Sequence, residues 1–199
     1  GGMDFFRVED NVVAEEAFSS TDLEDALTTS PAGFTRDGET LYWLDSRGRD
    51  TAALTAMDWD TGETRVIAEN DKADIGGTIR DNETGEVEAY SVYYLKREWT
   101  ATDPEIEAAL TFLENNLEGE FGIGSRTDDD RKWIVGNDPV TGPSASYLFD
   151  RDAGTLTKLY VTRPELEGAP LQPMHPVEIA SRDGLTLPSY LTLPPGSDS

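Results

Sequence analysis

Short apolar and aromatic runs broken by Asp/Gly turns, with turn residues recurring at a displacement of 92, predict a mainly β fold. The class is a partial β-propeller of antiparallel four-stranded blades, with one short helix and a C-terminal β-hairpin. The displacement links Asp37 to Asp129, Asp58 to Asp150 and Gly62 to Gly154. It is twice 46, and a propeller blade takes about 40–50 residues.

The first full blade starts with a strand over Ala32–Arg36 and turns at Asp37-Gly38, a strong hairpin signal. Leu41-Tyr42-Trp43-Leu44 reads as a buried strand, Thr51–Trp59 as the next, and Glu63–Ala68 as the outer one after the turn at Asp58–Gly62. The layout returns with the turn Thr127–Asp130, then strands at Lys132–Val135, Ser146–Phe149 and Thr155–Val161. The middle unit, near 73–118, opens with strands at Ile75–Arg80 and Val87–Leu95 and then departs from the pattern. Asp103-Pro104 is an N-cap followed by proline at the first helical position. Ile106, Leu110, Leu113 and Leu117 recur at helical spacing and Gly119 is a stop signal, so 103–118 is expected to be a helix replacing or decorating the outer strands. Residues 4–18 read as outer strands of a preceding blade.

From Arg163 the texture changes. Pro164, Pro170, Pro173 and Pro176 mark an extended linker over 163–176. Two alternating strands joined at Arg182-Asp183-Gly184 follow over 177–195, a hairpin with no sheet to join. The expected organisation is therefore 4–162 partial propeller, 163–176 linker, 177–195 first hairpin of a further domain.

Composition excludes several functions. Sixteen basic and 40 acidic residues among 199 give a net charge of −24, which opposes nucleic acid and anionic membranes as partners. The absence of Cys excludes disulfides, thiolate metal sites and cysteine nucleophiles, and a single His leaves no multi-His metal site. No cofactor or metal is expected. Only four of the basic residues are Lys. The acidity fits a solvated surface or a saline habitat. No signal peptide opens the chain, and the expected compartment is the bacterial cytoplasm ahead of the periplasm.

Four stretches together resemble the prolyl oligopeptidase family of serine peptidases, in particular its dipeptidyl-aminopeptidase and acylaminoacyl-peptidase-like members. They are Phe34–Leu54, Trp133–Val135, Tyr147–Arg151 and Pro173–Pro195, the last containing Arg182-Asp183-Gly184-Leu185. The resemblance covers roughly residues 20–199. It implies the C-terminal part of a propeller and the junction to an α/β-hydrolase domain of the same parent chain, with short peptides as the parent's substrates. The family's nucleophile lies in a Gly-x-Ser-x-Gly elbow, followed in the chain by Asp and then His. That elbow does not occur here, and the lone His175 sits between Met174 and Pro176, so no triad residue is carried over. The expectation is a non-catalytic propeller fragment that gates peptide access to a catalytic domain outside this sequence. The alternative is a stand-alone propeller-like module that binds a protein or ligand.

Among individual residues, Arg47 and Arg49 beside Gly48 are the candidates for an interdomain or partner salt bridge. Asp128-Asp129-Asp130 is expected to be a solvated blade turn rather than a cation site. Asp37, Asp45, Asp50 and Asp58 are expected to close turns. Tyr42, Trp43, Trp133 and Tyr147 are expected to pack the blades. Glu15-Glu16 carries no family motif around it, and Asn82-Glu83-Thr84 is a glycosylation pattern on a turn. An incomplete propeller leaves sheet edges open, so self-association through them is expected.

Overall fold

The computed structural model describes residues 1–197. Among the described residues fifteen strands are found: β1 (Met3–Glu9), β2 (Val12–Thr21), β3 (Ser30–Phe34), β4 (Thr40–Asp45), β5 (Ala53–Asp58), β6 (Thr64–Ala68), β7 (Ile75–Arg80), β8 (Val87–Tyr93), β9 (Arg97–Ala101), β10 (Glu120–Arg126), β11 (Lys132–Asp138), β12 (Ala145–Asp150), β13 (Thr155–Val161), β14 (His175–Ala180) and β15 (Thr186–Leu191). One α-helix, α1 (Pro104–Asn116), lies between β9 and β10. The sheets are β1-β2, β3-β4-β5-β6, β7-β8-β9, β10-β11-β12-β13 and β14-β15, each with neighbours in sequence order. This is the mainly β, partial-propeller class that the turn spacing predicts. The chain divides into two compact units, Gly1–Gly77 with Thr84–Glu86, and Thr78–Glu83 with Val87 onward.

In the first unit the β1-β2 hairpin turns at Asp10-Asn11, both left-handed (φ 49° and 64°), which matches the right-handed twist of a two-stranded ribbon. Its aromatics complete the core of the following blade. Phe5 meets Trp43 edge-on at 4.8 Å, and Phe18 meets Trp59 at 5.3 Å. Leu41, Tyr42 and Trp43 on β4 and Ala53 and Leu54 on β5 are all buried. Successive residues bury on opposite faces, which is why this stretch is an unbroken apolar run.

The second unit has one core, made of Ile79 and Ala89 from the three-stranded sheet, Ile106, Ala109, Leu110 and Leu113 from α1, and Phe121, Trp133, Val135 and Phe149 from the last sheet. The helix occupies the place in the chain where the two complete blades put a fourth strand. It starts as its sequence dictates: the Asp103 carboxylate accepts from the Glu105 N–H (2.8 Å) and the Ile106 N–H (3.1 Å). Asp103→Ala should cost about 1 kcal/mol of stability for this unit, read as a lowered urea midpoint at unchanged slope. After the helix, Gly119 has φ +81°, and a β-carbon there would lie 2.2 Å from the Asp138 carbonyl oxygen. Only glycine allows this entry into β10.

Three local readings change. β9 is a strand that its charged sequence, Lys96-Arg97-Glu98, conceals. The Pro-rich stretch is interrupted by a 3-10 turn at Pro164–Leu166, since proline's fixed φ suits a first helical position. The hairpin begins inside the expected linker: His175 pairs with Leu191 and Pro176 with Tyr190, a proline tolerated because a two-stranded ribbon is all edge.

Candidate functional site

The blade turns repeat atom for atom. Thr35 Oγ1 donates to Asp37 Oδ1 at 2.6 Å, and Thr127 Oγ1 to Asp129 Oδ1 at 2.6 Å. The Thr40 N–H reaches Thr35 Oγ1 at 3.0 Å, and the Lys132 N–H reaches Thr127 Oγ1 at 3.1 Å. These bonds hold the Asp37 and Asp129 carboxyls below the ordinary carboxylate range, the threonine hydroxyl being the largest cause. Asp58 accepts from the Thr61 N–H (2.8 Å) and Asp150 from the Ala153 N–H (3.0 Å). The recurring aspartates are thus turn closers, as their residue type implies.

One position breaks the repeat. Gly38, with φ +79°, corresponds to Asp130, with φ +55°. A side chain in this conformation is strained, and here it has a task. The Asp130 carboxylate pairs with both Arg126 and Arg151 and accepts from Trp133 Nε1 at 2.8 Å. Both guanidinium carbons lie 5.1 Å from the centroid of the Trp133 ring, which is fully buried. Arg126, whose side chain is 6% exposed, also bonds Glu88 at 2.8 Å and the Arg80 carbonyl at 2.9 Å. Burial raises the Glu88 carboxyl above its ordinary range while its bond to Arg126 pulls the other way. Burial works against the Arg126 charge, and the bonds to Asp130 and Glu88 outweigh it. The Asp128–Asp130 turn is therefore not uniformly solvated: Asp128 and Asp129 face water, and Asp130 is turned inward as the bridge between two arginines. Sequence reasoning missed this group. Its only signal is Arg126, Asp130 and Trp133 at spacings of four and three, while Arg151 arrives from the turn after β12.

Arg47 and Arg49 are engaged within the first unit. Arg47 forms a two-pronged pair with Asp45, Nε to Oδ1 and Nη2 to Oδ2 each at 2.8 Å, and its Nη1 donates to Ser19 Oγ at 2.6 Å. The Arg47 hydrogen bond is the largest cause of the lowered Asp45 pKa. Arg47 so ties β2 to the end of β4. Arg49 pairs with Glu69 at 2.5 Å in a more exposed setting. Glu15 and Glu16 are exposed on β2, and His175 is exposed at the start of β14. Among the described residues no group of three or more His, Cys, Asp or Glu side chains is arranged to hold a metal ion.

The β14-β15 hairpin is one surface with unmet packing. The pairing register puts Val177, Ile179, Leu187 and Leu191 on one face and Pro176, Pro188 and Tyr190 on the other. Ile179 is 50% exposed, Leu187 46% and Leu191 43%. The Tyr190 face meets the β8-β9 turn, where the Tyr190 hydroxyl donates to the Tyr94 carbonyl at 3.4 Å. A hydrogen bond with Tyr190, helped by burial, raises the Tyr93 hydroxyl above its ordinary pKa.

No protein-family profile matches the chain. Solved structures share its fold, among them the following two. A prolyl endopeptidase aligns with TM-score 0.50 and 13% identity over 81% of this chain and 24% of its own. The dipeptidyl peptidase 4 of Porphyromonas gingivalis aligns with TM-score 0.57 and 13% identity over 94% of this chain and 27% of its own. They show the fold; the sequence matches that follow support the resemblance to the propeller region of the prolyl oligopeptidase family. Dipeptidyl aminopeptidase BIII of Pseudoxanthomonas mexicana is 51% identical over 199 residues, all of this chain and 29% of that protein. A dipeptidyl peptidase family member 6 from Caenorhabditis elegans is 25% identical over 98% of this chain and 28% of its own length. The chain thus spans less than a third of the curated relatives it matches.

Proposed function

We propose that these residues are a non-catalytic propeller portion of a prolyl-oligopeptidase-family serine peptidase. They restrict peptide access to an α/β-hydrolase domain carried by the same parent chain, which 177–195 opens. The observation that carries this reading is the apolar face of the hairpin, where Ile179, Leu187 and Leu191 are exposed beside the half-buried Val177. Such a face on a two-stranded ribbon is stabilised only when a further layer covers it. The 51% identity to dipeptidyl aminopeptidase BIII supports the same assignment. The hydrolase domain would supply serine, aspartate and histidine for acyl transfer, and the blades would supply the wall.

The test uses the gene extended beyond Ser199. Its product should carry a Gly-x-Ser-x-Gly elbow, should hydrolyse short chromogenic peptides and should leave a folded protein substrate intact, whereas residues 1–199 alone should hydrolyse neither. Equal cleavage of peptides and folded protein by the longer chain overturns the gating role. Peptide turnover by residues 1–199, surviving further purification, overturns the non-catalytic assignment.

A further inference from the structure

A cleft of about 530 Å³ lies between helix α1 and the turns that follow β10 and β12. That is the size of sites that hold small organic ligands, roughly 300–1,000 Å³. One wall is a stripe of the helix. Glu105, Ala108, Ala109 and Phe112 fall at i, i+3, i+4 and i+7, so they share one face. The two alanines keep this wall low, and Phe112 supplies aromatic surface. Its ring stacks on Phe149, with centroids 5.0 Å apart and planes 12° from parallel. Phe149 is buried, whereas Phe112 is half-buried and leaves part of its ring open to the cleft.

Four carboxylates, Glu105, Asp129, Asp130 and Asp152, line the cleft against two guanidiniums, Arg131 and Arg151, so its walls are net negative. Arg151 is engaged already: it pairs with Asp130, lies over the Trp133 ring and reaches the Glu105 carbonyl at 3.5 Å. Arg131 is exposed and divided between Asp129 at 3.8 Å and Asp152 at 3.3 Å, too far for close hydrogen bonds. The exposed Glu105 carboxylate stands 4.0 Å from Arg151. Glu105 and Asp152 therefore keep most of their capacity to accept hydrogen bonds. The next charges outward leave the balance unchanged, since Arg126 is matched by Glu88 and Lys132 by Asp150.

We propose that this cleft binds a primary amine with an aromatic body. The ammonium group pairs with Glu105 and Asp152, and the ring lies against Phe112 and Ala108. A carboxylate or phosphate ligand would meet negative walls whose guanidiniums are occupied. A neutral aromatic would gain the Phe112 surface without the charge, and an inorganic cation would gain the charge and leave that surface wet. An arylalkylammonium ion uses both. The inference goes beyond the gating reading and needs no hydrolase domain, so either can fail alone.

The experiment follows the backbone amide NMR shifts of isotopically labelled residues 1–199 during titration. The probes are phenethylammonium, 2-phenylethanol and 3-phenylpropionate, similar in size and different in charge. Saturable shifts are expected at residues 105–112 and 151–154 with the ammonium compound. The alcohol should bind at least about fivefold more weakly, and the carboxylate should give no saturation. Ala108→Leu, at an exposed helix position, should fill the cleft, keep the helix signal in circular dichroism and weaken the amine about tenfold. Glu105→Gln combined with Asp152→Asn should bring amine and alcohol to equal affinity. No saturation by the amine up to about 20 mM overturns the proposal. So does equal affinity for amine and alcohol in the parent, or a folded Ala108→Leu protein that binds as the parent does. Ammonium chloride that reproduces the same shifts at the same concentrations also overturns it, because the acidic chain is then only collecting counterions.

Discussion

Trp133→Ala is expected to cost the second unit about 3–5 kcal/mol, enough to consume much of the stability of a domain this size. The ring is fully buried, meets Phe149 edge-on at 5.8 Å and carries a guanidinium carbon of Arg126 and of Arg151 each 5.1 Å from its centroid. Removing it opens a cavity against α1, withdraws the indole N–H from Asp130 and takes the aromatic surface from two cations. Urea unfolding followed by far-UV circular dichroism should show a midpoint moved well down. Trp133→Phe should recover part of the loss, because the packing returns and the Nε1 donor does not. An alanine variant within about 1 kcal/mol of the parent would show that the core closes over the gap, contrary to the usual cost of large-to-small changes.

Asp130→Asn is the second large effect, at about 3 kcal/mol of lost stability. Asparagine tolerates the left-handed backbone and still offers an oxygen to the Trp133 indole, so the substitution isolates the charge. Arg126 and Arg151, with side chains 6% and 18% exposed, would share one ring with Glu88 as the remaining carboxylate on Arg126. Because the group is poorly exposed, salt screens it little, and the deficit should persist at about 1 M ionic strength, where the Debye length is about 3 Å. A deficit that vanishes in salt would mean that Asp130 acts as an ordinary surface charge. Trp133 and Asp130 share a hydrogen bond, so the double variant should lose less than the sum of the two single losses.

The blade plan was legible in the sequence because turn chemistry is local. An aspartate two residues after a threonine closes the turn in both blades, so Asp37 and Asp129 announce the 92-residue period and their bonds reproduce it. The helix was legible for a similar reason: Asp103, Pro104 and the apolar spacing act within a few turns. β9 was hidden because Lys96-Arg97-Glu98 faces the rim of a cleft, and its pairing with β8 rests on backbone groups that sequence does not distinguish. Asp130 was hidden among three adjacent aspartates. What turns it inward is the sign of one backbone dihedral, at the position Gly38 holds a period earlier, together with an arginine from β10 and another following β12. The hairpin's bare face was readable from alternation, whereas its seat on the β8-β9 turn depends on Tyr190 meeting a carbonyl 96 residues away.

Helix α1 satisfies its backbone by bonds within itself and is joined to its neighbours by side-chain packing. A fourth strand in that place would have been locked to β9 in register, and one added residue would have turned its apolar side chains to the wrong face. The middle blade is therefore the adjustable joint of the repeat. Evolution or engineering can lengthen, shorten or reshape this element at the cost of packing and of the Arg151 contact with Glu105, leaving every strand ladder undisturbed.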